Sequence, residues 1–245
     1  MPISPITKPA KHLEAQYVNF NFKDYIDTIT KNVAKSVKEL PNFKHMKNFN
    51  HLWAAILKQE DEKLQDKNYL ASLIKEEQLR RNKYDLAFYE TYNFEVGDTP
   101  DNRFTLHFDI ARLDQDIKQN NALIEITQVD LDEDFISYAD EEIKDEELLK
   151  RKLLDNRPLY IGIIPFINKT YNVIDGNTRI NAKKTSGTTK YNAVIVNDTA
   201  RYLSFDIDKV FYSYLCDLYA LVESLENHKN HDEVWRESQI YRLIH

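Results

Sequence analysis

The stretch KTYNVIDGNTRINAKKTSGTTKYNAVIV, residues 169–196, decides the fold of this chain. Its pattern predicts a strand over 171–174, a turn at Asp175-Gly176, a helix over NTRINAKK and another strand after Lys190. Three of the four glycines in the chain lie in or close to this stretch, namely Gly162, Gly176 and Gly187. Backbone freedom is therefore concentrated where strands turn into helices.

The glycine turn is a candidate anion site. Free N–H groups at a helix N-terminus carry the positive end of the helix dipole, and a glycine lets an anion approach the backbone. Arg179 lies on the first helical turn, where its guanidinium fork is suited to a phosphate or carboxylate. The candidate binding residues are Gly176, Asn177, Arg179, Lys183 and Lys184. An ordinary turn capped by Asn177 or Thr178 explains the same sequence, and this alternative stays open.

Composition indicates a globular protein. The chain has 245 residues, of which 42% are hydrophobic and 30% charged, with a formal net charge of −7. This length predicts one or two domains. The single cysteine, Cys216, excludes an internal disulfide framework and a cysteine-rich zinc site. Because no long apolar run and no signal-peptide pattern is found, we expect a soluble, cytoplasmic protein with no membrane association.

Charge is distributed unevenly along the chain. Residues 128–147 contain ten acids and one base, whereas residues 156–191 contain a single acid, Asp175. The bases of that second segment are Arg157, Lys169, Arg179, Lys183, Lys184 and Lys190. The net acidic charge disfavours a protein whose whole surface binds nucleic acid. It leaves one cationic segment, which coincides with the glycine turn.

The rest of the chain predicts helices on either side of an α+β core. Three proline residues in the first twenty predict an extended arm, and a turn cluster is predicted over 93–102. Helices are predicted over 22–40, 49–57, 70–79, 141–155, 206–227 and 234–243, and further strands over 104–108, 122–131, 159–164 and 191–196. We therefore predict an arm with a helical layer (1–95), an α+β core (96–205) and C-terminal helices packing on that core (206–245).

The order of elements resembles that of the ParB/sulfiredoxin superfamily, whose signature is Gly-x-x-Arg-x-x-Ala. Gly176, Arg179 and Ala182 match this signature, and the similarity covers about residues 121–197. The resemblance implies a ParB/sulfiredoxin-like mixed-sheet core in which the glycine turn and the arginine bind phosphate groups. It also implies a bacterial or mobile-element protein that binds a ribonucleoside triphosphate with Mg²⁺.

The departures from this family restrict what can be transferred. Asn177-Thr178 stands where chromosome-partitioning ParB has a glutamate-arginine pair, and neither its second arginine motif nor its helix-turn-helix domain is found. This argues against a DNA-sliding clamp. The catalytic cysteine of sulfiredoxin is also missing from the turn, which argues against sulfinic acid reduction. Asp175 and Asn177 remain candidates for magnesium or ribose contacts.

Two classes of function follow from these residues. The first is nucleotide or phosphate binding at 175–179, assisted by Lys183 and Lys184. If this site turns over, Mg²⁺-dependent hydrolysis or phosphoryl transfer is expected, with Asp175 and Thr178 nearest the chemistry. We identify no separate set of metal ligands.

The second class is a non-catalytic interaction module that docks a protein or nucleic-acid partner such as DNA. A nuclease ranks lower, because the clustered carboxylates lie in a different helix from the basic segment. Arg179→Ala separates the two classes. A nucleotide site predicts lost binding with little change in melting temperature, whereas an interaction module predicts lost stability or no effect.

Overall fold

The computed structural model describes residues 21–35, 37–69, 71–72, 75, 91–99, 102–119, 125–132, 136–140, 142–164, 171–184, 186–227 and 229–245. The strands are β1 (Thr91–Thr99), β2 (Asn102–Asp109), β3 (Ile126–Asp130), β4 (Ile136–Ser137), β5 (Leu159–Ile163), β6 (Tyr171–Asp175) and β7 (Lys190–Val196). The α-helices are α1 (Phe22–Ala34), α2 (Met46–Gln65), α3 (Ile110–Gln119), α4 (Glu146–Leu153), α5 (Asn177–Lys184), α6 (Asp206–Glu226), α7 (His231–Glu237) and α8 (Gln239–Ile244), and 3₁₀ turns span Leu40–Asn42 and Thr199–Tyr202.

A five-stranded mixed sheet has the order β3-β7-β5-β6-β4, and β1 and β2 form a separate two-stranded sheet. In the larger sheet β7 is antiparallel to β3 and parallel to β5, while β6 is antiparallel to β5 and parallel to β4. The helix α5 follows β6 directly, as the glycine turn predicts. The chain is therefore an α+β protein with a mixed sheet.

The core of the larger sheet is apolar and lies beneath α5. Ile180 of α5 packs with residues of the strands, and together they form the buried cluster Val129, Ile136, Leu159, Ile161, Val173, Ile180, Tyr191 and Ala193. The helix α4 packs against α5. Burial of this cluster fixes the orientation of α5 and hence the direction of its polar side chains.

Two compact units are distinguished by their internal contacts. One includes His107–Leu203 and hence the five-stranded sheet, and the other includes Asn93–Leu106 and Ser204–His245 together with the described residues from α1 to residue 75. In this second unit the ring centroids of Phe104 and Phe211 are 3.9 Å apart, and those of Trp53 and Tyr214 are 6.0 Å apart. The predicted division at 95 and 205 stays a prediction.

Most predicted elements within the described residues are found, with corrections at their ends; the helix predicted over 234–243 is instead two helices, α7 and α8, separated at Ser238. The turn cluster predicted over 93–102 is wrong in part, because β1 continues through Thr99 and pairs with β2. Cross-strand pairing outweighs the local turn preference there. The helix predicted to reach residue 40 ends at Ala34, and a separate 3₁₀ turn follows at Leu40–Asn42. The acidic helix begins at Glu146, because the side chain of Asp145 caps it.

Other predictions concern residues that are not described or elements that were not foreseen. The arm over 1–20 and most of the helix predicted over 70–79 lie outside the described residues. Helix α3 was not predicted, although Ile110 and Leu113 are both buried with helical spacing. Within the described part of the chain, no helix combines the length and the apolar character that crossing a bilayer requires.

Candidate functional site

The turn between β6 and α5 requires glycine at position 176. Gly176 has a φ of +113°, which side-chain-bearing residues rarely adopt. A Cβ at this position would overlap the Leu159 side chain and lie 2.8 Å from Nη2 of Arg179. Gly176 therefore leaves the space into which the Arg179 guanidinium packs.

Arg179 is buried and holds the turn together. Only 2% of the residue is exposed. Its Nη2 donates to the carbonyl oxygen of Pro158 at 2.8 Å and to Oδ2 of Asp175 at 3.2 Å. Its Nη1 lies 3.7 Å from Oδ2 of Asp155. The guanidinium thus links the end of β6 to the segment before β5, and its buried Nε has no hydrogen-bond partner among the described residues.

The side chains on either side of Gly176 are also engaged internally. Oδ1 of Asn177 accepts the backbone N–H of Ala139 at 2.8 Å, and Nδ2 of Asn177 donates to the carbonyl of Val173 at 3.0 Å. Thr178 is half-buried. Magnesium or ribose contacts by Asp175 and Asn177 would compete with these bonds, so the roles assigned to Asp175, Asn177 and Thr178 stay predictions.

A polar cavity of about 470 Å³ lies beside α5. It is lined by Gln128, Leu153, Asp155, Asn156, Arg157, Arg179, Lys183, Ser186, Thr188, Lys190, Tyr191 and Asn192. Four of these described lining residues are cationic, and one is a carboxylate. The cavity is therefore rich in hydrogen-bond donors and positively charged.

Several elements bring these cations to one place. Arg179 and Lys183 are four residues apart on α5 and so share a face of that helix. Lys190 begins β7, and the register of β7 with β3 places Asn192 opposite Gln128. Nζ of Lys183 donates to the backbone carbonyl of Asp155 at 2.7 Å. The cavity thus depends on the pairing of β3 with β7 as well as on the glycine turn.

Asp155 and Arg157 form a close ion pair at the cavity. Oδ1 of Asp155 accepts from the backbone N–H and from Nε of Arg157, at 3.1 and 3.0 Å, and Oδ2 accepts from Nη2 at 2.8 Å. The hydrogen bond from Arg157 is the largest cause that holds the pKa of the Asp155 carboxyl well below its usual range. Asp155 therefore stays ionised near neutral pH and is a poor general base.

The predicted site residues are only partly brought together. Arg179 and Lys183 line the cavity, whereas Asp175, Gly176, Asn177, Thr178 and Lys184 are not among its lining residues. Nζ of Lys184 instead pairs with Asp140 at 2.7 Å. The prediction omitted Arg157 and Lys190, which belong to the cationic segment found in the sequence, and it omitted the contributions of β3 and of Asp155 and Asn156.

The arrangement can bind an anion and neutralise its charge. Among the described residues, no three histidine, cysteine, aspartate or glutamate side chains are grouped so that they could hold a metal ion. Any magnesium at this cavity would have to be bound largely by the ligand's own oxygens, as is common for Mg²⁺ with phosphates.

No family model matches the chain, and no curated protein matches it either. The resemblance to the ParB/sulfiredoxin superfamily stays an expectation from the order of elements and from the signature at Gly176, Arg179 and Ala182.

Proposed function

We propose that this protein binds a phosphate-bearing anion, with a nucleotide as the expected ligand, in the cavity beside α5. One observation carries the proposal: Arg157, Arg179, Lys183 and Lys190 line a single cavity whose one described carboxylate is already paired with Arg157. Cationic groups gathered in a concave site attract anions and form charge-assisted hydrogen bonds with them.

The size and the donors of the cavity support a phosphate ligand. Its volume of about 470 Å³ lies within the range of small-molecule sites. The amides of Gln128 and Asn192 and the hydroxyls of Ser186 and Thr188 add uncharged hydrogen-bonding groups.

Binding is the primary proposal, and turnover is secondary to it. Mg²⁺-dependent hydrolysis or phosphoryl transfer needs a group that positions or deprotonates the nucleophile. Asp155 is a poor candidate because its pKa is lowered by Arg157. The cations of the cavity would contribute charge stabilisation, and the nucleotide would bring the magnesium.

We also propose that the mixed-sheet core has a ParB/sulfiredoxin-like fold. The proposed origin of the protein is a bacterium or a mobile element. The strand, glycine turn and helix over 171–184, set in a mixed sheet, support the proposed fold. Arg179 and Ala182, both 2% exposed or less, are packed in the interior, as residues of a structural turn are.

An interaction module is the second candidate. The observation that favours it is the engagement of Asp175, Asn177 and Arg179 in internal hydrogen bonds, since such a turn is stable without any ligand.

Calorimetric titration and thermal shift with the four ribonucleoside triphosphates, each with and without Mg²⁺, test the proposal. Inorganic tripolyphosphate serves as a base-free probe, and a duplex DNA tests the second candidate. A ligand at about a hundred times its dissociation constant stabilises the protein by about 2.7 kcal/mol. No binding of any triphosphate or tripolyphosphate to the folded protein would refute the proposal, and DNA binding alone would favour the interaction module.

Matched lysine variants locate the binding. Lys190 is 63% exposed at its side chain, so we expect Lys190→Ala to fold normally. Loss of its charged contact should weaken binding by about three- to tenfold. The control is Lys184→Ala, which also removes one positive charge, but from a residue of α5 that does not line the cavity. The affinity of this control for the ligand should stay within about twofold of that of the parent protein. Equal weakening by both variants would mean that only the overall charge matters.

A further inference from the structure

We infer that Asp155 is a positioning residue of the anion site, which sets the cations of the cavity in place. This inference rests on the proposed function. A carboxylate lining an anion site opposes the ligand by its charge. Its presence in the cavity therefore calls for a role that outweighs this repulsion.

Asp155 touches three of the four cationic residues. Its carboxylate accepts from Nε and Nη2 of Arg157, at 3.0 and 2.8 Å, and lies 3.7 Å from Nη1 of Arg179. Its backbone carbonyl accepts from Nζ of Lys183 at 2.7 Å. Asp155 thus connects the exposed Arg157 with Arg179 and Lys183, the two cations of α5.

The exposed fractions of the Arg157 and Asp155 side chains show why Arg157 needs a fixed partner. The Arg157 side chain is 66% exposed, whereas that of Asp155 is only 14% exposed. A long exposed arginine samples many rotamers and is repelled by neighbouring cations. The two-point pairing with Asp155 fixes the plane of the guanidinium, so that Arg157 is already in place when an anion arrives.

Asp155→Asn tests the inference, because positioning predicts a lower anion affinity whereas simple charge repulsion predicts a higher one. Tripolyphosphate affinity is measured by calorimetry for the intact protein and the variant. If Asp155 positions the cations, the variant binds about tenfold more weakly, as expected for one lost charge-assisted bond, although the cavity has become more positive. Unchanged or tighter binding by a folded Asp155→Asn protein overturns the inference.

The control is Asp145→Asn, which removes the same charge from the N-cap of α4, outside the cavity, and keeps a side chain that can cap the helix. Its affinity should equal that of the parent protein. If the parent itself fails to bind tripolyphosphate and nucleotides, the proposed function fails and takes this inference with it. Failure of the inference alone is recognised by normal parental binding.

A double-mutant cycle separates positioning from general damage to the fold. In an Arg157→Ala background, Asp155→Asn should weaken binding much less, because the Arg157 guanidinium, which makes the closest contacts with the Asp155 carboxylate, is gone. A purely structural role would weaken binding equally in both backgrounds and would overturn the inference.

Arg157→Lys makes the test independent of whether Asp155→Asn folds. Lysine keeps the charge but lacks the fork that pairs with Asp155. We expect Arg157→Lys to lose most of the affinity that Arg157→Ala loses. Parental affinity in Arg157→Lys would show that charge alone suffices and would overturn the inference.

Discussion

Replacement of Arg179 by alanine should destabilise the protein substantially. The substitution removes the hydrogen bonds to the carbonyl of Pro158 and to Asp175, at 2.8 and 3.2 Å, from a residue that is 2% exposed. Bonds to charged groups contribute about 1.5–3 kcal/mol each, and breaking a buried ion pair costs about 3–5 kcal/mol. Asp175 keeps 22% of its side chain in solvent, which softens the loss. We expect the free energy of unfolding to fall by about 3 kcal/mol.

Thermal and urea unfolding measure this effect. For a chain of this size, about 3 kcal/mol corresponds to a fall in melting temperature of about 6–12 °C. Lys184→Ala, on the same helix but with a side chain 50% exposed, is the matched control. It should change the free energy of unfolding by less than about 0.5 kcal/mol.

This expectation differs from the simple nucleotide-site hypothesis, under which Arg179→Ala leaves the melting temperature nearly unchanged. Lost ligand binding in Arg179→Ala would therefore not identify a binding residue, and Lys190 is the better probe. A melting temperature within about 1 °C of the parent protein would refute the structural role of Arg179 and would make its guanidinium available for a ligand.

Three further predictions concern the turn, the second unit and the response to acid. Gly176→Ala should lower the free energy of unfolding by about 3 kcal/mol or more, because the added Cβ would overlap Leu159. Gly187→Ala is the control: Gly187 has a φ of +73° and nothing lies within 4 Å of an added Cβ, so the loss should be only about 1 kcal/mol. Urea midpoints measure both losses, and equal losses would contradict the overlap with Leu159. Asp217 is 2% exposed and accepts hydrogen bonds from the indole N–H of Trp53 and from the backbone N–H groups of residues 239 and 240. Asp217→Asn should therefore lower the free energy of unfolding by about 2–3 kcal/mol. An unchanged midpoint of urea unfolding would contradict this prediction. The pKa of the Asp155 carboxyl is lower in the folded protein than in the unfolded chain. The ionised carboxylate therefore contributes its full stabilisation of the fold above the ordinary aspartate pKa of about 4, and this contribution is lost as the pH falls below that value. The stability difference between the parent and Asp155→Asn should therefore be constant from about pH 5 to 7 and shrink in more acidic buffer, and a difference that persists at low pH would contradict the lowered pKa.

Local sequence signals were sufficient for the elements around the turn. The alternation over 171–174, the glycine with its need for positive φ, and the helical composition of NTRINAKK are local properties, and β6 and α5 follow them. The exact ends were less predictable. Strand β1 covers most of a predicted turn because it pairs with β2. Helix α4 begins five residues later than predicted because the side chain of Asp145 caps it.

The candidate site was predicted less completely than the elements. The excess of bases over 156–191 indicated an anion site, and four of the six bases line the cavity. Their relation to Asp155 and Gln128 could not be predicted, since it depends on the strand order β3-β7-β5 and on the packing of α4 against α5. Sequence proximity also favoured Lys184 over Lys190, although Lys184 pairs with Asp140 instead.

The sequence by itself determined the α+β composition, the glycine turn and the cationic segment, because backbone preference, hydrophobic period and charge are properties of neighbouring residues. Only the tertiary structure decided which charges meet and which are used internally. Arg179 is the clearest case. Its position on the first turn of a helix suggested a ligand contact, but the space left by Gly176 and the nearby carbonyl of Pro158 make it an internal anchor. A buried guanidinium must satisfy its donors with whatever the fold brings near, and that is decided by long-range packing.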